Sequence, residues 1–270
     1  KANGKCIYWN ESGAKESEGE FIDGKIKGKM ISWYENGKKK SEGEFKDDKA
    51  IGKFIGWYES GAKHTENEFK DGMLNGKFIT WDELGFKISE KEMKDGKRNG
   101  KRIEWDKKGN LIKEEEYKED LLHGKCIEWY ANGNKRFVGE FKNGAANGKL
   151  EWWYENNIKK SEGEILNGKK NGIGIYWYES GKKKYEAEIK DELRNGISLE
   201  WYENGNLKFD DEYKDGDKNG YSKGWRENGT KEYLKEYLGG RQIGKQIYWF
   251  ENGSINSEGE YKNNKLNGRF

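Results

Sequence analysis

The chain has 270 residues, 52 basic and 50 acidic side chains, a net charge of +2, a mean hydropathy of −1.27 and no proline. So polar a composition leans toward disorder, but the near-neutral balance and an aromatic content of 14% indicate a folded chain with a thin core. With no basic excess the chain is no phosphate binder, and no run of about 18 apolar residues is present to span a membrane.

Taken from the N-terminus, the chain is one phrase repeated. Trp9 is followed every 24 residues by Trp33, Trp57, Trp81, Trp105, Trp129, Trp153, Trp177, Trp201, Trp225 and Trp249. Such a period marks a quasi-linear array without a central core, so residues 1–270 read as one continuous array with both ends in mid-repeat.

Each repeat contains two short extended runs, such as Gly28 to Tyr34 and Lys39 to Phe45. Neither carries a 3.6-residue apolar period, and both are bounded by Asn, Asp and Gly, which accept positive φ. The unit is therefore a β-hairpin, and the chain an all-β, elongated, single twisted antiparallel meander of about eleven 24-residue hairpins, an open trough or solenoid-like array. A three-residue loop Glu35-Asn36-Gly37 with a left-handed Gly37 is expected to pair Tyr34 with Lys38 and to place Trp33, Ile31, Gly43 and Phe45 on one face. Gly37, Gly61, Gly133, Gly181 and Gly205 are turn residues of this kind, and position 157 carries Asn instead. The tryptophan row is read as the structural core, with Gly43 and its equivalents leaving room for an indole over bare backbone.

The segments "GEFKNGAANGK" (139–149), "SEGEFKDDK" (41–49) and "SEGEILNGKKNGIGIYWYESG" (161–181) resemble MORN repeats in their bacterial variant form. The pattern E-G-E-aromatic-K-x-G-K-x-N-G looks like the core of that motif, while its G-x-G survives only as Gly172-Ile173-Gly174. The resemblance extends over the whole chain. It implies hairpin arrays that act as scaffolds and protein-binding modules. Some relatives are linked to membrane lipid, and bacterial variants are described as antitoxins or found outside the cell.

No constellation of catalytic residues breaks the repeat. His64 and His123 fall at unrelated phases, and Cys6 and Cys126, at one phase five repeats apart, lie on the order of 50 Å from each other, too far for a disulfide. No metal or cofactor site is expected. Glu recurs at 20, 44, 68, 92, 116, 140, 164, 188, 212, 236 and 260, opposite a row of Lys or Arg, which reads as a solvated ion-pair ladder rather than as paired acids for glycan cleavage. The expected function is a non-catalytic protein-interaction scaffold. The alternatives are a surface or membrane-associated stalk and an antitoxin-like neutralising binder. Its partner is expected to be another protein, with self-association through the aromatic face and membrane lipid as lesser candidates and nucleic acid excluded. A cell-surface or secreted location is preferred to a cytoplasmic one. Irregular repeats 7 to 10 supply the candidate partner contacts: Glu151, Trp152, Tyr154, Tyr178, Tyr202 and Lys223.

Overall fold

Strand, turn, strand, turn is the order throughout the computed structural model, which describes residues 1–267. Among these are 23 strands and no helix. A full repeat supplies a nine-residue strand ending on tryptophan and an eight-residue return strand, as in Lys25–Trp33 and Lys39–Lys46. Two compact units are formed, one from Lys1–Gly133 with Phe141–Gly144, the other from Asn134–Glu140 with Ala145–Phe270. In the first, the strands from Gly4–Trp9 to Leu121–Trp129 pair antiparallel with their chain neighbours. In the second, the strands from Ala145–Trp153 to Lys265–Leu266 do the same. The fold is thus an all-β meander of repeated hairpins.

The expected hairpin loop is present. Tyr34 N–H donates to the Lys38 carbonyl at 2.9 Å, Gly37 N–H to the Tyr34 carbonyl at 2.9 Å, and Gly37 has φ 78°. Gly61, Gly133, Gly181 and Gly205 repeat the conformation, and Asn157 adopts it at φ 66°. Asn is the L-residue that reaches this region at least cost.

The expected face assignment is overturned. Ser32 pairs with Ser41 but Trp33 pairs with Lys39, so Lys40 is an extra residue and the return strand changes parity. Met30 therefore faces Gly43, Ile31 faces Glu42, and Phe45 lies on the side opposite Trp33. One sheet face carries tryptophan, isoleucine and charged side chains; the other carries Phe45, Met30, Gly43 and their equivalents. The residue lying over Gly43 is correspondingly Phe54, whose ring a Cβ would strike, and not an indole.

The side chains most removed from water sit on this second face. They include Cys126, Met93 and Ala187, together with Ser198, Ser222, Gln246, Glu115 and Asp211. The tryptophans on the first face are half-buried, and Trp9 is 60% exposed.

The two-residue turns between repeats use left-handed pairs such as Asp23 (φ 53°) and Gly24 (φ 83°). Where the second residue is not glycine, its side chain accepts a backbone N–H from one repeat back. Asp48 takes that of Ile26 at 2.8 Å, Asp120 that of Arg98 at 3.0 Å and Glu192 that of Lys170 at 2.7 Å. A hydrogen bond thus offsets the strain of a non-glycine residue at positive φ.

Candidate interaction site

On the tryptophan face the repeat builds a ladder of alternating charge and indole. Glu42 receives both Lys39 at 2.7 Å and Lys29 at 3.4 Å, and the Lys39 ammonium lies 5.6 Å from the ring centroid of Trp57 in the next repeat. Glu18 is shared by Lys5 and Lys15, Glu66 by Lys53 and Lys63, Glu90 by Lys77 and Lys87, and Glu162 by Lys149 and Lys159. Lys15, Lys63 and Lys87 cover Trp33, Trp81 and Trp105 at 4.2, 4.6 and 5.3 Å. The hydrogen bonds from Lys53 and Lys63 hold the Glu66 carboxyl below the usual range, against a smaller upward push from burial. Lysine stems shield the indoles from water while their ammonium groups stay wet, which keeps the row half-buried.

Ion pairing therefore runs through the Glu18, Glu42, Glu66, Glu90 row, and not through the row at 20, 44, 68 and 92 expected to pair with the lysines. Most of the latter acids fold back over the positive-φ glycine of the next strand: a Cβ on Gly76, Gly100 or Gly124 would meet the carboxylate of Glu68, Glu92 or Glu116, whereas Gly52, after Glu44, has nothing within 4 Å. Glu92 also accepts the backbone N–H of Lys101 at 3.2 Å. The invariant Glu and the invariant Gly are two halves of one lock, formed where a return strand meets the bulge beyond it, as in Glu68–Gly76, Glu92–Gly100 and Glu116–Gly124.

The opposite face is polar in places. Glu115, 4% exposed, accepts from Arg102 at 2.5 Å, Lys113 at 2.9 Å and Tyr117 at 3.0 Å. Burial raises its pKa, but the hydrogen bonds from Lys113, Arg102 and Tyr117 prevail and hold it below the ordinary range. Beside it the Cys126 thiol is pushed up to about 11, first by burial and then by the Glu115 charge. In the other unit Asp211 accepts from Ser222 at 2.5 Å and Lys218 at 3.0 Å.

A notch interrupts the packing of this face in repeats 7 and 8. In the preceding repeats the phase of Gly174 holds Met30, Phe54, Phe78, Arg102, Cys126 or Leu150, and in the following ones Ser198, Ser222 and Gln246. Here Gly174 and Gly163 coincide: a Cβ on Gly163 would touch nothing within 4 Å, and one on Gly174 only Ile189, at 3.5 Å. The result is a cavity of about 190 Å3. Leu150, Ile165 and Ile189 wall one part of it, and Trp152, Tyr176 and Tyr185 another. Trp152 stacks against Phe137 with ring centroids 5.2 Å apart, and Tyr176 lies 6.0 Å from Tyr185. Lys170, exposed, stands at the mouth. A cavity of about 150 Å3 already accommodates benzene, so the notch is large enough for one aromatic ring.

Of the six residues expected to touch a partner, Trp152 lines the notch. Tyr154, Tyr178 and Tyr202 are tied inward, their hydroxyls donating to the carbonyls of Trp177, Trp201 and Trp225 at 2.9, 2.8 and 3.0 Å. Glu151 joins Lys149 and Lys159 at 3.0 and 2.7 Å, and Lys223 pairs with Asp210 at 2.8 Å. The notch itself escapes a reading of single repeats, because it requires two small residues on different strands to meet. The sequence cue is the lone Gly172-Ile173-Gly174.

His64 stacks on Tyr58 at 4.2 Å, and His123 Nδ1 lies 3.3 Å from Asn143 Oδ1. Both cysteines are free. Among the described residues no group of three His, Cys, Asp or Glu is placed to hold a metal ion, and no helix is long and apolar enough to cross a membrane.

The model of the MORN repeat variant matches residues 26–47, 98–119, 122–143, 194–215 and 242–263, and that of the MORN repeat matches 162–183 and 258–269. This chain belongs to the MORN-repeat family. The matched MORN segments together span about half of it and fall in both units. No curated protein sequence matches it. Among solved structures, TcdB2-TccC3 aligns over 97% of this chain and 17% of that one, with 11% identity and a TM-score of 0.20. The MORN chain thus spans less than a fifth of that structure's length, and a similarity at this level carries no argument about function.

Proposed function

We propose that this MORN array is a non-catalytic scaffold that grips a partner protein, with an aromatic side chain of the partner entering the notch between repeats 7 and 8. The observation that carries the reading is the notch: an aromatic-walled cavity with a bare glycine floor, at a position where every other repeat carries a side chain. Aromatic anchors in desolvated pockets are where association energy concentrates. The competing readings are a surface or membrane-associated stalk, which needs no notch, and a neutralising binder, which would be one form of the scaffold.

Affinity capture with the full chain as bait, read by mass spectrometry from lysate and surface fractions, tests this against Gly174→Leu. Leu150 occupies the equivalent position one repeat earlier, so the variant keeps its fold, checked by circular dichroism and melting temperature. The expected result is a stoichiometric protein held by the natural chain and lost from the variant. Retention of the same protein by Gly174→Leu, or capture of lipid alone, would refute the reading.

A further inference from the structure

We propose that the tryptophan face of repeats 8 to 10 is a docking strip for a basic amphipathic helix of a partner protein, laid across the strands with apolar side chains at heptad spacing. This rests on the scaffold reading but not on the notch, which opens on the opposite face.

The lysine of the ladder is lost in three consecutive repeats. Repeats 2, 3, 4, 5, 7 and 11 place Lys29, Lys53, Lys77, Lys101, Lys149 and Lys245 at this phase, where each reaches a glutamate thirteen residues on. In repeats 8, 9 and 10 the same position holds Ile173, Ile197 and Tyr221, which are 52%, 49% and 46% exposed. Ile175 and Leu199 follow on the same face, half-buried, and Trp177 and Trp201 lie beyond them. Three apolar side chains thus replace a charged row, flanked by Ile175 and Leu199 in repeats 8 and 9 and by Lys223, paired with Asp210, in repeat 10. Exposed apolar side chains gathered in register in this way mark an interaction site.

Charge defines the occupant. Ile173, Ile197 and Tyr221 stand directly across from Glu188, Glu212 and Glu236. Among the described residues the acids of this row make no ion pair in the lysine-bearing repeats either, but the lysine opposite, as in Lys53 with Glu68, Lys77 with Glu92 and Lys101 with Glu116, lies close enough for its charge to act on the carboxylate. In repeats 8 to 10 an apolar side chain stands where that ammonium would be. The strip thus alternates apolar side chains with the carboxylates of the intervening return strands, the complement of a helix that carries both apolar and basic side chains.

Spacing selects the helix. Two strands per repeat at about 4.8 Å set successive ridge residues about 10 Å apart. A helix places residues i and i+7 about 10.5 Å apart on one side, so i, i+7 and i+14 meet all three ridge positions. An extended strand covers the same distance in three residues, but those residues point to opposite faces.

The test uses the full chain and a stapled 22-residue helical peptide with Leu at heptad a and d positions and Lys flanking them, read by fluorescence anisotropy. Controls are a scrambled peptide and one with Glu in place of Lys. The expected result is saturable binding, weakened at least tenfold by Ile173→Ser/Ile197→Ser/Tyr221→Ser and weakened likewise by exchanging Lys for Glu. Gly174→Leu should leave it unchanged, which separates failure of the notch from failure of the strip. Equal binding to the triple variant or to the scrambled peptide would overturn the proposal. So would self-association of the natural chain in sedimentation that the triple variant abolishes, or flotation on phosphatidylcholine vesicles that it abolishes, since either gives the strip another occupant.

Discussion

Replacing Gly100 by Ala probes the Glu–Gly lock. Gly100 has φ 116°, and a Cβ there would overlap the Glu92 carboxylate and come within 3.0 Å of the Glu92 Cβ and Cδ. Two costs result. Holding an L-residue in this sparsely populated region costs about 1–3 kcal/mol. Expelling Glu92 also breaks its hydrogen bond from Lys101 N–H, a loss of about 1 kcal/mol. The total is about 2–4 kcal/mol. Gly109 is the control, because it has φ 83° and a Cβ there meets nothing within 4 Å, leaving the backbone cost alone. Urea unfolding followed by tryptophan fluorescence should therefore show Gly100→Ala less stable than Gly109→Ala by about 1 kcal/mol or more. Adding Glu92→Ala removes the collision and should make the two losses less than additive. If Gly100→Ala proves no worse than Gly109→Ala, or if the pair is strictly additive, the lock does not exist.

Three further outcomes are expected. Tyr178→Phe removes the hydrogen bond to the Trp201 carbonyl and should lower stability by about 1 kcal/mol in urea, with Tyr202→Phe behaving alike. At pH 8 the native chain should react with Ellman's reagent at Cys6 and not at Cys126, whose thiol is buried and raised to about 11; a count of two fast-reacting thiols would contradict this. Because the folded pKa of Glu115 lies below its unfolded value, it contributes stability above the ordinary glutamate range that is lost as pH falls through and below about 4.3. Melting temperatures measured from pH 7 to pH 3 should thus fall less steeply for Glu115→Gln, which starts from a lower value at neutral pH.

The sequence and the structure part at the level of parity. The 24-residue period, the strand runs and the left-handed glycine at the hairpin turn can all be read from composition and spacing, because each depends on residues adjacent in the chain. The face of the return strand cannot, since one extra residue at Lys40 inverts it and nothing in Lys-Lys-Lys marks which lysine is extra. The same inversion redirected the acids. Both glutamates in S-E-G-E look alike, yet Glu18 takes the lysines while Glu20 lies over Gly28 of the next strand. Repeats 7 to 10 stood out in the sequence as irregular, but there the eye is drawn to Tyr154, Tyr178 and Tyr202, whose hydroxyls are committed inward. The cavity depends on what is missing from two strands at once, and the apolar ridge on what is missing from three repeats in succession.

The tie from each tyrosine hydroxyl to a carbonyl 23 residues on makes the array editable in whole units. Excising residues 49–72 would bring Tyr34 to the carbonyl of Trp81 and Lys39 over the Trp81 ring, repeating contacts those side chains already make to Trp57. Among the described residues the ladder contacts named above join a repeat to itself or to its neighbour, so length can change by duplication or loss of 24 residues without redesign of any unit. Irregular repeats such as 7 to 10 can accordingly be inherited, shifted along the chain or exchanged as a cassette, with the regular repeats serving as interchangeable spacing.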